Sequence, residues 1–159
     1  MKHFTLDEFA VSGTYPKLVT KPTGKIAEAI EALVDNVLDP IREKLGKAIT
    51  VTSGYRNAKL NKAVGGASTS QHTKGEAADI ITGNAQSDNM AIVNSLLALK
   101  IPFDQCIMEK TTRMASGKIT ACRWVHISYK KDGPNRNEIL AWDGKTYRKV
   151  KVTPTYEYI

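Results

Sequence analysis

"SQHTKGEAADI", residues 70–80, sets a histidine, a glycine and an aspartate among small and polar residues, and closes on a strand-like segment. The interval from His72 to Asp79 is too wide for adjacent turns of one helix, but a loop folding back onto its own strand can join them. Gly75 gives that loop access to an unusual backbone angle. The chain has three histidines, His3, His72 and His126. His126 lies in "RWVHISY", where strand alternation puts Trp124, His126 and Ser128 on one face and Arg123, Val125 and Ile127 on the other. A hydrolytic zinc site needs about three nitrogen or oxygen ligands and an open fourth position. His72, Asp79 and His126 would supply such a set. From spacing alone, a surface histidine on the loop and a satisfied core histidine on the strand remain open.

The 159 residues make one domain, 1–159, long enough to bury a sizeable core. No apolar run approaches the roughly 18 residues of a membrane span. The start, "MKHFTLDEFAV", has neither a continuous apolar core nor a small-residue cleavage site. The expectation is synthesis in the cytoplasm without a signal peptide, so an extracytoplasmic target requires another exit route. Cys106 and Cys122 form no CxxC pair and read as buried thiols, with neighbouring strands as one placement. The net charge of +7, from 23 basic and 16 acidic residues, favours a polyanionic partner. Nucleic acid and cell wall both qualify. No helix-turn-helix, aromatic RNA-binding motif or zinc finger is present, and the basic residues are dispersed apart from "KTYRKVKV" (145–152).

Along the chain, Thr5 to Glu8 fits a capping box that opens a helix of about two turns. "SGTYPKLVTKPTG" follows as a loop. Ile26, Ile30, Leu33, Val34, Val37, Leu38, Ile41 and Leu45 form one helical stripe. Pro40 is expected to kink or split it near Leu38, and Gly46 to stop it. "AITVTS" (48–53) reads as a strand and "RNAKLNKAV" as a short helix ending at Gly65-Gly66. "EAADII" (76–81) is a strand that turns at Gly83-Asn84. "SDNMAIVNSLLALK" is a helix with Ser87 as N-cap. "QCIME" and "CRWVHISY" are strands joined by a polar stretch with Ser116-Gly117. "ILAW-DG-KTYRKV" is a hairpin with an Asp-Gly turn. Without regular βαβ alternation, the order argues for α+β with helices packed on an antiparallel sheet.

"SGYR" (53–56), "SQHTKGEAAD" (70–79) read as SxHxxGxAxD, and "WVHIS" (124–128) resemble, in that order, the zinc D-alanyl-D-alanine metallopeptidases. The likeness runs from "FTLDEFAVS" to Asn135-Arg136. This family includes bacterial carboxypeptidases and phage endolysins and shares its fold with the hedgehog signalling domain. The resemblance implies a zinc ion held by His72, Asp79 and His126, and Arg56 in the active site holding the substrate carbonyl or terminal carboxylate. It implies hydrolysis of peptidoglycan stem peptides, as a D,D-carboxypeptidase or an endopeptidase. A phage or prophage endolysin suits the missing signal peptide. The expected protein is a monomer acting on bacterial peptidoglycan after release, with neither nucleic acid nor a membrane as partner.

One position departs from the family. Many members carry Glu or Asp three residues before the last histidine, as general base. Here that residue is Arg123, which cannot accept a proton at neutral pH. Alternation turns it away from the His126 side. Glu109, closing "QCIME", is the sequence candidate to replace it, against the plainer reading of a solvated strand end. Glu76, inside the motif, reads as exposed. Ser70 orients substrate or bonds its own loop. Trp124 lines the cleft or packs in the core, core packing being the more ordinary outcome. The rival to an enzyme is a non-catalytic peptidoglycan-binding or phage structural module of the same fold. Turnover, not metal content, separates the two.

Overall fold

The computed structural model describes every residue except Asp143, Thr155 and Tyr156. The expected Asp-Gly turn therefore rests on one residue, Asp143, outside the described set. Six strands form one sheet in the order β1-β2-β4-β3-β5-β6: β1 (Ile49–Ser53), β2 (Ala77–Thr82), β3 (Gln105–Arg113), β4 (Ile119–Ser128), β5 (Glu138–Trp142) and β6 (Tyr147–Lys149). The pairs are antiparallel as expected, save β3 with β5, which run parallel. The segment between β4 and β5 crosses the end of β3 and delivers β5 to its far side. In the final hairpin Trp142 pairs with Tyr147, so the connection spans 143–146 and is longer than a two-residue turn.

The long apolar stripe forms α1 (Gly24–Leu33), a π-helical segment (Val34–Leu38) and α2 (Asp39–Leu45). Pro40 accounts for the change of pitch. It sits in the first turn of α2, where its missing N–H costs least, and the widened turn before it accommodates the ring. Gly46 closes α2 in the left-handed conformation, with φ 69°. Ile30, Leu33, Val34, Val37, Leu38 and Ile41 are buried against one sheet face, made by Val51, Ala78, Ile80, Cys106, Met108, Val125 and Ile127. The short helix expected after β1 is α3 (Ala58–Ala63), and α4 (Met90–Leu99) completes the core layer through Ile92, Val93 and Leu96.

Three expectations shift. The turn after Thr5 is a 3-10 turn, Leu6–Phe9, shorter than the expected helix although the capping box is present. α4 begins after Asn89 instead of Ser87. Asn89 is buried, and its side chain bonds the Thr82 N–H and the carbonyls of Ala85 and Arg123, so those bonds decide where the helix starts. Strand alternation breaks in β4. Val125 and Ile127 are buried on one face, but Arg123, expected on that same face, is exposed and Cys122 takes the core position. Two features coincide with the break. Asn89 bonds the carbonyls of both Cys122 and Arg123, and Lys110, between the pairs Glu109–Trp124 and Thr111–Cys122, has φ 51°. The two cysteines do lie on neighbouring strands, but several rungs apart. Cys106 faces Ile127 and Cys122 faces Thr111, and both are free and buried.

Gly54 lets the N-terminal segment close over β1. A Cβ there would lie 2.4 Å from the Phe9 carbonyl oxygen and 2.6 Å from the Phe9 Cα, while the next amide, Tyr55, donates to that same carbonyl at 2.9 Å. Backbone cannot swing aside as a side-chain tip can. Gly54→Ala is expected to lower unfolding stability by about 1–3 kcal/mol, the usual cost of overpacking. Urea melts of the two proteins check this, and an unchanged midpoint would refute the close approach.

Candidate active site

The sheet face opposite the apolar helical layer carries the site. Asp79 on β2, His126 on β4 and Ile107 on β3 stand in one row across three adjacent strands. Their neighbours Ala78, Ile80, Val125, Ile127, Cys106 and Met108 point into the core, so alternation sends the polar pair to the open side. Glu109 follows two residues after Ile107, opposite Trp124. Arg56, Ser70, Gln71, His72, Asp79, Glu109, Trp124, His126, Arg136 and Tyr147 are among the residues that line a cleft of about 600 Å³.

His72 reaches the row from above. It sits in a 3-10 turn, Gln71–Lys74, capped by Ser70, whose Oγ accepts from the His72 N–H at 3.3 Å. Gly75 ends the turn with φ 72°, and a Cβ there would meet the Ile26 carbonyl oxygen at 2.6 Å. Both the backbone angle and the space demand glycine. The His72 carbonyl accepts from the Arg56 amide at 3.0 Å, which ties the turn to the end of β1.

The ring is oriented by backbone. His72 Nδ1 lies 2.8 Å from the Gly54 carbonyl oxygen, which can only accept, so Nδ1 carries the proton. In the neutral ring Nε2 then holds a bare lone pair, and it faces Asp79 Oδ1 at 3.3 Å. His126 Nδ1 lies 3.0 Å from the same oxygen. The imidazoles stand edge to face with centroids 5.1 Å apart, and one ligand atom from each of the three residues lies within 4.8 Å of the others. A lone pair aimed at an anionic oxygen is repulsive unless a proton or a cation lies between them. The donor set, two imidazoles and a carboxylate, is one that divalent zinc accepts. The Gly54 carbonyl supplies the outer hydrogen bond that fixes a ligating tautomer. The residues present therefore fit a metal ion.

Burial alone would raise the Asp79 carboxyl, but the charges and hydrogen bonds of His72 and His126 outweigh it and hold it well below the usual carboxylate range. Arg56 approaches the other carboxylate oxygen, with Nη2 3.9 Å from Oδ2 and Nη1 3.4 Å from Asn61 Oδ1. Its side chain is mostly buried, which places a guanidinium beside the ligand group on a rigid support.

Glu109 lies in the cleft and not at a solvated strand end. Its Oε1 accepts from the Tyr147 hydroxyl at 2.8 Å. Burial raises its carboxyl above the ordinary value, with the Tyr147 hydrogen bond opposing. Of the two placements considered for Trp124, the structure has it lining the cleft and not packed in the core. Ser70 bonds its own loop, capping the His72 turn, and it also lines the cleft. Glu76 is partly buried, not exposed, and its backbone carbonyl accepts from the Tyr129 amide. Arg123 is outside the cleft.

Sequence reasoning missed Asp104. It is fully buried and accepts from Gln71 Nε2 at 2.9 Å, the Arg136 amide at 3.0 Å, Arg136 Nε at 3.0 Å and Nη2 at 2.8 Å. Gln71 precedes His72, so this carboxylate pins the histidine turn to the start of β3 and to the segment after β4. No motif marks a lone Asp before a strand. Tyr147 was missed for a similar reason, since only the sheet order carries β6 back to the cleft.

Burial would raise the Asp104 carboxyl, but the bonds from Arg136 and Gln71 bring it down to about 2 from 3.8. A folded value below the unfolded one stabilises the fold fully above about pH 4, and this stabilisation fades as pH falls towards 2. Its size is about 2 kcal/mol. Urea melts from pH 4 to pH 2 are expected to show Asp104→Asn losing about 2 kcal/mol less over that interval than wild type. Parallel pH profiles would remove this role.

No curated protein matches the chain. Residues 2–128, most of the chain and all three quoted motifs, match the Peptidase M15 family. With the ligand group gathered on the open sheet face in the order the resemblance implied, the chain belongs to the Peptidase M15 family.

Proposed function

We propose that the protein is a zinc-dependent peptidase that hydrolyses peptide bonds in peptidoglycan stem peptides. The observation that carries this reading is the meeting of His72 Nε2, Asp79 Oδ1 and His126 Nδ1 at the floor of an open cleft, in a chain of the M15 family. These three residues would hold the metal. When bound, zinc supplies Lewis acidity towards the scissile carbonyl and activates water at neutral pH.

The remaining roles belong to side chains. Arg56 would stabilise negative charge on the carbonyl oxygen as the bond is attacked, a preorganised role suited to a mostly buried guanidinium three residues beyond β1. Glu109 would take a proton from the attacking water and return it to the leaving amine. It occupies the cleft floor two rungs along β3 from the His126 partner, and its raised affinity for protons suits a group that must both accept and give one. On this reading the base would come from β3, because Arg123, three residues before His126, lies outside the cleft. The proposed setting is the bacterial wall, whose anionic polymers suit the +7 charge. A phage or prophage lysin is the form of protein that this charge and motif set would serve. A non-catalytic module of the same fold would keep zinc and leave the wall intact.

The test is incubation of the zinc-loaded protein with purified peptidoglycan, followed by mass analysis of released fragments. Release of stem-peptide fragments, abolished by chelation and restored by zinc, is expected. Intact peptidoglycan from several wall types would transfer the protein to the binding-module reading. Arg56→Ala is expected to cut turnover about 100-fold with zinc content unchanged. Glu109→Gln keeps shape and metal and should lose most hydrolysis; full activity in that variant would show that the base is another group.

A further inference from the structure

We infer that Arg136 is a specificity-determining residue that binds a carboxylate on the substrate. The inference rests on the peptidase reading above and names what the cleft recognises. Arg136 lies beyond the family-matched residues 2–128, in the segment that crosses from β4 to β5, yet its side chain lines the same cleft as His72 and His126. It is 47% exposed, while its partner Asp104 is fully buried. Nε and Nη2 are held on the Asp104 carboxylate, which fixes the plane of the guanidinium. Nη1 makes no hydrogen bond among the described residues, so a pair of N–H donors remains on the free edge. A planar donor fork, already ordered by a buried counter-ion, is suited to a carboxylate.

The surrounding charges do not cancel this. Lys130 Nζ lies 3.9 Å from Asp104 and adds a second cation to the cluster. Glu138, the nearby acid, is engaged by Gln105 Nε2 at 2.7 Å. Gln71, the residue before His72, donates to Asp104, so the Arg136 fork is set at one relay from the His72 turn. Arg56 stands beside Asp79, and the cleft therefore offers two guanidiniums on separate supports. One serves the scissile carbonyl in the reading above. The other is left to recognise the substrate. Two sources supply a carboxylate in a stem peptide, its C-terminus and an acidic residue within it.

The experiment uses the zinc-loaded full chain and three synthetic peptides ending in D-alanyl-D-alanine. One has every carboxylate free, one has a C-terminal amide, and one has the internal carboxylate amidated. Binding and hydrolysis are measured on wild type, Arg136→Gln and Arg136→Lys. Wild type is expected to bind the free acid about tenfold or more tightly than one of the amides, which names the source. Both variants should lose most of that discrimination, seen as a rise in KM for the free acid with little change for the matching amide, at unchanged zinc content. Arg136→Lys keeps a positive charge on Asp104, so it guards against a variant that merely fails to fold. Equal wild-type binding of all three peptides would overturn the inference while leaving the peptidase reading intact. So would variants that discriminate as wild type does. Failure of wild type to bind or cleave any of the peptides would overturn both.

Discussion

Asp79 and His126 face each other across one rung of an antiparallel ladder, and the rest of the site is built to meet them. Two polar side chains opposite one another on a sheet are held by backbone hydrogen bonds, and their separation is set by the ladder spacing. Neither residue relies on a mobile loop. The other sheet face is sealed by helices, so the register that buries Val125 and Ile127 also directs His126 outward. A one-residue slip would exchange those roles, at the cost of the whole core on that strand. The stability of the fold and the position of the ligand group are thus one constraint.

The third member comes from a turn, and the turn is fastened at several points. Gly75 lets it end against Ile26, Gly54 orients the His72 ring, the Arg56 amide takes the His72 carbonyl, and Asp104 holds Gln71. These bonds order His72 before any ion arrives. The same contacts bring Arg56 beside Asp79 and Arg136 onto Asp104. The charged groups of the cleft are therefore set by partners behind them, which reduces the entropy lost when a ligand binds.

Much of this was legible in the sequence, and the boundary of legibility is physical. The long apolar stripe, the β-branched strand before Gly54 and the alternation in "WVHIS" state their burial directly, because period and burial are the same fact. The gathering of His72, Asp79 and His126 into one group that could hold a metal was legible from the motif and its resemblance to a known family. What failed depended on contacts between distant segments. Asn89 overrode Ser87 as helix cap because its side chain reaches β2 and β4. Alternation broke at Arg123 where Lys110 distorts the neighbouring strand and Asn89 takes the carbonyls. Asp104 and Tyr147 reach the site only through the sheet order, and the parallel insertion of β5 beside β3 has no local signal.

The proposed chemistry depends on His72, Asp79 and His126 forming one zinc site. Zinc-edge X-ray absorption on protein loaded with one equivalent of zinc tests it most directly. Two imidazole nitrogens at about 2.0–2.1 Å are expected, with oxygen completing the shell and no sulfur, and one imidazole fewer in His126→Ala. Absence of stoichiometric zinc, or a shell containing sulfur or no imidazole, would contradict it.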